Sequence, residues 1–542
     1  MTDSQLIRIF DDKMKIDMKR FLTALALFLV YFVMNAQGYS NPVIKGFNPD
    51  PSVCRVGDDY YLVTSSFQYF PGVPLYHSKD LINWEQIGHV LDRESQIKLK
   101  EARSWGGIYA PTIRYHKGKF YMITTNMASK GNFIVTTEDP RGDWSDPIWV
   151  DMPGIDPSLF WDDDGRCYYT GADGGCVFCE INPDTGEKLS EAKMIWYGSG
   201  GRNAEAPHMY KKDGWYYLLM AEGGTEFGHG ATIVRSRNID GPYETAPHNP
   251  ILSHVGRNAQ SNPIQCVGHA DIIQAHDDSW WLVALGVRTQ CLMNQHHLLG
   301  RETFLSPVRW DKDAWPVVDG DGQIHLQMDV PTLAQHPVKE KPTYWDFESP
   351  LGPQWQYLRN PDMSRYQMKD GKLSLYGSRY DLRTIEGSPT FICVRQEDHD
   401  FNATTCVEIK NARNGDQAGL SLYMDVEAHY DIYLERKGGK NYVSLRYTLG
   451  TMDHTEQVAV PSSKIWLKVS GNTHDYFLHY SADGKTWKKL GEQKACYLSS
   501  ETNWGFTGIM IGLWAYSPSD DGKAAASDFH ADFEEFRYCT QQ

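Results

Sequence analysis

Hydrophobic and polar positions alternate in short runs along most of the chain, and the runs repeat. Five segments line up: DPSVCRVGDDYYLV from Asp50, APTIRYHKGKFYMI from Ala110, DPSLFWDDDGRCYYTG from Asp156, APHMYKKDGWYYLL from Ala206 and HADIIQAHDDSWWLV from His269. Each opens on a small or turn-forming pair and continues through a few alternating residues. A polar turn bearing Gly or Asp follows, then paired aromatic and aliphatic residues. Alternation over so short a window is the pattern of a half-buried strand, and the turn makes each copy a β-hairpin. The pacing is regular: Pro51 to Tyr60, Pro111 to Phe120 and Pro207 to Tyr216 are equal steps, and the third copy is slightly longer.

A weaker pair of strands follows the hairpins, as in VPLYHSKDLINWEQIG, NFIVTTEDPRGDWSDPIWV, ATIVRSRNIDGPYETAPHNPIL and TFLSPVRWDKDAWPVV. Four strands per unit, at spacings of roughly 45–65 residues, fit propeller blades. Five copies predict a five-bladed β-propeller over residues 38–336. An irregular β-sandwich is the competing arrangement, and the regular spacing argues against it. The repeat stops after HPVKEKPTYWDFESPLGPQW. Residues 337–343, rich in Pro and Lys, read as a linker. Residues 344–542 change texture, with alternating runs such as KLSLYGS, AGLSLYMD, HYDIYLER and NYVSLRYT and a hairpin turning at Asp483-Gly484. This predicts a separate antiparallel β-sandwich, so the expected fold is all-β throughout.

The N-terminal segment 1–37 follows a different logic. Lys19 and Arg20 precede an apolar run over 21–34, and Asn35-Ala36-Gln37 offers a cleavage site after Ala36. That is the layout of a secretory signal peptide and is short for a membrane span. A membrane anchor is the alternative; a lipid anchor is disfavoured because no Cys follows the run. The polar residues ahead of Met18 suit an n-region poorly, which makes Met18 a second candidate start. The expectation is a periplasmic or secreted protein with no membrane span in the mature chain.

Composition narrows the partners. A net charge of −16 argues against a nucleic-acid backbone. Aromatic residues at 13% suit either β packing or sugar stacking and do not separate the two. The ten cysteines form no dense framework, and Cys176-x-x-Cys179 has no second pair near it, so most are expected to be buried small apolar residues. Gly198-Ser199-Gly200-Gly201 lacks the lysine and helix of a phosphate loop.

The chemistry lies at the repeat starts. Asp50 is fixed between Pro49 and Pro51, and a residue before proline is pushed toward an extended conformation. Asp156 shares the D-P-S frame, and Glu205, in AEAPH, stands one residue earlier relative to its proline. Starts of innermost strands converge at one end of a propeller, so three carboxylates are expected in one funnel. Like charges brought together raise at least one pKa, which keeps an acid protonated near neutral pH. Two carboxyls roughly 6.5–9.5 Å apart suit inverting glycoside hydrolysis. Taken singly, each acid is better explained as a turn cap; three at equivalent repeat positions are not.

The motifs NPDPSVCRVGDDYYL, GIDPSLFWDDDG and AEAPHMYKKDGWYYLLMAEGG resemble the three catalytic motifs of glycoside hydrolase family 43, and GHADI and LGRETFL resemble two further ones. That family comprises five-bladed propellers, inverting and usually exo-acting. The distal sandwich resembles the concanavalin-like C-terminal domain of its β-xylosidase and α-L-arabinofuranosidase branch. The resemblance implies Asp50 as general base, Glu205 as general acid and Asp156 as pKa modulator and orienting group. It places Arg301 near the base and the sugar, His269 at the axis floor, and Phe67 on the wall of the −1 pocket. Phe506, in WGFTGIM, fits the sandwich loop that lends a residue to the pocket rim. Tyr109 and Ile155 stand where β-xylosidases often carry Trp and Phe, and EAPH replaces EGPH, which brings the chain closer to the arabinofuranosidases. The expected substrates are plant cell-wall oligosaccharides, of xyloglucan or arabinoxylan, with a β-xylosidase as rival reading and a sugar-binding propeller without catalysis as the non-enzymatic one. The resemblance requires no cofactor and allows calcium, on the axis near the histidine or at a sandwich edge where Asp346, Glu348 and Asp532 offer oxygens.

Overall fold

A computed structural model describes residues 38–257, 262–289, 295–329, 332–521 and 529–540. The signal-peptide segment and Cys291 lie outside the described residues. The five repeats are five antiparallel sheets. The first contains Ser52–Val56, Asp59–Val63, Gly72–Ser78 and Glu85–Leu91; the second Thr112–His116, Lys119–Asn126, Gly131–Thr137 and Ile148–Trp149. The third contains Ile155–Trp161, Cys167–Ala172, Cys176–Glu180 and Lys193–Trp196. The fourth runs Glu205–Lys212, Trp215–Glu222, Gly230–Ser236 and Glu244–Thr245, with Leu252–Ser253 also on its third strand. The fifth contains Ile264–Gln274, Trp280–Arg288, Glu302–Arg309 and Val317–Val318. Innermost strands of neighbouring blades pack in a closed ring. The short strand Gly38–Ser40 pairs with Gln327–Asp329 and ties the two ends of the ring together.

The paired aromatics of each repeat explain the blade packing. Successive strand residues face opposite sides of a sheet. Tyr60 therefore enters the core between the first and fifth blades, with Leu62, Trp281 and Val283. Its neighbour Tyr61 packs on the other face, with Val63, Ile113, Phe120 and Met122. Trp281 and Trp280 divide in the same way. A full side chain of this size removed from water is worth about 1.5–3 kcal/mol, so each pair fastens a blade to both neighbours.

The C-terminal region is a sandwich of two large antiparallel sheets. One is centred on Phe401–Lys410 and His530–Thr540, the other on Gln417–Asp425 and Met510–Tyr516. Leu420, Leu422, Ile432, Ile511 and Leu513 meet Phe401, Val407, Leu467 and Phe533 between them. The second sheet does not stop at the domain edge. Its strand Gln356–Leu358 pairs with Tyr69–Phe70, which belongs to a first-blade loop of the propeller. Arg395 Nε donates to the Phe47 carbonyl at 2.6 Å, and Arg359 Nε to the Ala102 carbonyl at 2.7 Å. The sandwich is thereby fixed against the same loops that surround the propeller mouth. Of the nine described cysteines, Cys496 and Cys539 alone are not buried, and none is paired. Among the described residues no helix is long and apolar enough to cross a membrane.

Candidate active site

The starts of the innermost strands share an unusual backbone. Asp50, Asp156, Ala206 and His269 have φ of 55°, 53°, 52° and 46°. The extended conformation expected for Asp50 ahead of Pro51 is therefore incorrect: the residue is left-handed. For a non-glycine residue this costs about 1–3 kcal/mol and persists only where the surroundings impose it. The strand ladders slip at the same places, between Ile155 and Ser158, Glu205 and His208, and on both sides of Gly268. Such a bulge turns a side chain out of the normal alternation of the pleat. In the fourth blade Ala206 takes the left-handed position, so its acid, Glu205, comes one residue earlier than the aspartates.

Asp50 is 4% exposed and held on both oxygens. Arg301 Nη1 donates to Oδ1 at 2.9 Å, Ser65 Oγ donates to Oδ2 at 2.5 Å, and His269 Nδ1 stands 3.5 Å from Oδ1. Burial alone would raise its pKa, but Arg301, His269 and the Ser65 hydroxyl outweigh it and hold Asp50 below the usual carboxylate range. Asp156 is also buried, and its Oδ2 accepts from the Ala206 N–H at 3.2 Å. Burial and the charges of Glu205 and Asp50 push its pKa well up. Glu205 is half-buried, and burial together with the charge of Asp50 raises it to about 7. Arg301 and Arg202 pull it down and Glu226 pushes it up. The three predicted acids thus lie close enough for their charges to act on one another, with opposite shifts on Asp50 and Glu205.

The other predicted residues surround them. Arg301 is 7% exposed, and it is no surface ion pair. Besides Asp50 it donates to Thr225 Oγ1 at 3.1 Å and to the Phe506 carbonyl at 3.3 Å. Its guanidinium lies over the rings of Phe67 and Phe506, 5.6 and 5.5 Å from their centroids. Phe67, Tyr109 and Phe506 form one aromatic wall, with Phe67 5.2 Å from Tyr109 and 5.9 Å from Phe506. Ile155 is half-buried beside Asp156 and pairs with Ala172. The sandwich delivers Phe506 through a close backbone crossing: a Cβ on Gly508 would lie 2.5 Å from the Leu299 carbonyl oxygen. Only glycine lets this loop settle beside Leu299–Arg301. Trp105 steadies the loop's other side, with its ring 6.4 Å from Phe506 and its Nε1 donating to Asp425 of the sandwich.

The implied metal positions do not fit. Near His269, the Asp50 oxygens are spent on Arg301 and Ser65, and Asp271 accepts from Arg114, Ser52 and Tyr210. A guanidinium, which only donates, fills the axis there instead of a ring of acceptors. At the sandwich edge, Asp346 Oδ1 accepts from the Glu348 N–H, and Asp532 accepts from Ser374 and faces Lys372. These three acids do not converge; among the described residues the one three-donor group is Asp319, Asp321 and His325, on a turn whose two aspartates are exposed. Sequence reasoning missed Ser65 and Thr225. Their positions depend on which strand end meets which, and no local pattern carries that.

Comparison with known proteins gives the family of both domains. Residues 39–316 match the Glycosyl hydrolases family 43 profile, and residues 345–539 match the beta xylosidase C-terminal concanavalin A-like domain. The chain belongs to glycosyl hydrolase family 43. Within the family it is 39% identical to a non-reducing end alpha-L-arabinofuranosidase of Bacteroides ovatus, over 97% of this chain and 99% of that protein. A xylosidase/arabinosidase of Butyrivibrio fibrisolvens is 37% identical over 92% of this chain and 98% of that protein. A solved family 43 structure from a Bacteroides ovatus xyloglucan PUL superposes with a TM-score of 0.88 at 38% identity, covering 93% of this chain and 100% of the other. The shared architecture of this family 43 member therefore extends through both the propeller and the sandwich.

Proposed function

We propose that this family 43 hydrolase releases α-L-arabinofuranose from the non-reducing ends of plant hemicellulose oligosaccharides, of xyloglucan or arabinoxylan, with inversion at the anomeric carbon. The observation that carries the reading is the split between two acids in one funnel. Asp50 is held ionised by Arg301, and Glu205 is held protonated up to about pH 7. An ionised carboxylate takes a proton from water, and a protonated one gives a proton to the departing oxygen. Asp50 is then the general base and Glu205 the general acid. Asp156, whose pKa is pushed up by burial and by the charges of Glu205 and Asp50, is the orienting group, since its Oδ2 accepts from the N–H of Ala206, the residue next to the acid. Arg301 fixes the base, His269 supports it, and Phe67, Tyr109, Ile155 and Phe506 bound the sugar. Phe506, brought by the sandwich against Phe67 and Tyr109, bounds one side of the site, which favours cutting at a chain end. The named activities of the Bacteroides relatives support arabinofuranose and xyloglucan. The apolar run over 21–34 supports action outside the cytoplasm.

The second reading is a β-xylosidase, favoured by the double name of the Butyrivibrio relative. Rates on p-nitrophenyl α-L-arabinofuranoside and p-nitrophenyl β-D-xyloside separate the two. Arabinofuranoside is expected to dominate; dominant xyloside release moves the assignment to the second reading. NMR of the first-formed sugar is expected to show the inverted anomer, and the retained anomer would sink the mechanism.

A further inference from the structure

The inner strands carry a second polar layer below the acids. Ser52 lies two residues beyond Asp50, Ser158 two beyond Asp156, Asp271 two beyond His269 and His208 three beyond Glu205. The second blade has Tyr109-Ala110 at its strand start, with neither an acid nor a histidine, and contributes Arg114 lower down. Ser52, His208 and Asp271 meet at that guanidinium, and Ser158 joins through His208. Arg114 Nη1 donates to Asp271 Oδ2 at 2.8 Å and to Ser52 Oγ at 3.1 Å. Arg114 Nη2 donates to Asp271 Oδ1 at 3.3 Å and to His208 Nδ1 at 3.1 Å. Ser158 Oγ lies 3.0 Å from the same His208 nitrogen, and Ser52 Oγ donates to Asp271 Oδ2 at 2.8 Å. Ser52, Ser158, His208 and Asp271 are each at most 2% exposed.

The chemistry of the cluster fixes its protonation. A guanidinium has donors and no acceptor, so His208 Nδ1 must present its lone pair. The ring proton is then on Nε2, which meets no acceptor among the protein atoms, and the histidine is neutral. Arg114 and Asp271 cancel each other, so the layer beneath the acids carries no net charge. Tyr210, which donates to Asp271, and Cys54, which lies close enough to feel both charges, are neutral too.

The geometry points to Arg114 as a positioning residue for the reaction: by holding Ser52, His208 and Asp271 on a single fork, with Ser158 joined through His208, it links all five inner strands and sets the spacing of Asp50 and Glu205. The proposal rests on the roles given to those two acids above. The ties Ser52, Ser158, His208 and Asp271 each sit two or three residues from a funnel group, with one left-handed residue in the span, so a shift in the hub is passed to the acid. Catalytic groups must be held within about 0.5 Å of their working geometry, and a 1 Å error costs about 10²-fold. The charge balance matters as well. The ionisable groups facing Glu205 from the surrounding loops and strands are Asp50, Asp156, Tyr109, Arg301, Arg202 and Glu226. A bare Asp271 below them raises the acid's pKa, and a bare Arg114 lowers it.

Four variants test this on an aryl glycoside across pH. Arg114→Gln is expected to lower kcat by about 10²-fold with KM changed by less than about threefold. Its alkaline limb should move up by about half a unit to one unit, and that of Asp271→Asn down by as much. The double variant should return the limb to the wild-type position while kcat stays low. Ser52→Ala strands no charge and keeps the fold, and is expected to lose roughly 5–10-fold in kcat, a cost near that of one hydrogen bond. Wild-type kcat in Ser52→Ala, or folded charge variants with an unmoved limb, overturns the proposal. A wild-type protein that releases no sugar defeats the functional reading instead. The hub is then read from crystal structures of wild type and Ser52→Ala: a change of about 0.5 Å or more in the separation of the Asp50 and Glu205 carboxyls is expected, and an unchanged separation overturns it.

Discussion

Replacing Arg301 by Met isolates what the buried guanidinium does for the base. Met keeps most of the apolar stem and removes the charge. The Nη1 to Oδ1 distance is 2.9 Å, and both side chains are at most 8% exposed. With charge centres about 4 Å apart and an effective dielectric near 20, the attraction is about 4 kcal/mol, or about 3 pKa units. His269 and Ser65 remain on Asp50 and absorb part of the loss, so a rise of about 1–3 units is expected. The sign follows from the depressed pKa: the ionised base, present in the wild type well into acid, is lost at higher pH in the variant. The acid limb of kcat/KM, which reports the free enzyme, should therefore move up by that amount. Arg301 also lowers Glu205, so the alkaline limb rises too, but less, because the guanidinium contacts Asp50 directly. A variant whose kcat/KM falls while its acid limb moves by less than about 0.3 unit would refute the reasoning and leave Arg301 a sugar-binding or packing residue.

Three further outcomes follow from the same geometry. Glu205→Gln should lose about 10²–10⁴-fold on natural oligosaccharides, far less on aryl glycosides with acidic phenols, and its alkaline limb near pH 7 should vanish; equal losses on both substrates would contradict the acid role. Phe506→Ala removes a ring lying 5.9 Å from Phe67 and 6.3 Å from Tyr109 but leaves its carbonyl on Arg301. KM should rise about tenfold at nearly constant kcat, a loss of uniform binding, and steady-state kinetics on trimmed oligosaccharides checks it. In the sandwich, fully buried Asp431 stands 3.0 Å from His429 and 2.7 Å from Arg446, and although burial opposes it, those partners depress its pKa. Asp431→Asn should cost about 3–5 kcal/mol in denaturant unfolding at pH 7. Because the wild type loses this stability as pH falls below the ordinary aspartate range, the deficit should shrink in acid; a deficit independent of pH would show that charge is not its source.

The repeat was legible because each blade is written locally. Proline at a strand entry, a Gly or Asp turn and a pair of aromatics facing opposite sheet faces all act within about 15 residues. The three acids were legible because they occupy the same place in that local pattern. The backbone at Asp50 was not. The pre-proline rule is a preference of a few residues, and it lost to the left-handed backbone taken at four strand starts around the closed ring. The metal ligands failed for a related reason. Counting oxygens at Asp346, Glu348 and Asp532 says nothing about Ser374 and Lys372, which already occupy Asp532.

By itself, then, the sequence determined the strands, the number of blades, the sandwich and the acids at the blade entries, since these depend on alternation and turn chemistry over short distances. Only the tertiary structure decided which groups hold those acids. Ser65 reaches Asp50 through strand pairing, Arg301 from a blade about 250 positions away, and Phe506 from another domain. The pKa split that makes one carboxylate a base and another an acid is set by those contacts. Contacts between remote residues follow from how sheets close and pack, which no local pattern of hydrophobic and polar positions encodes.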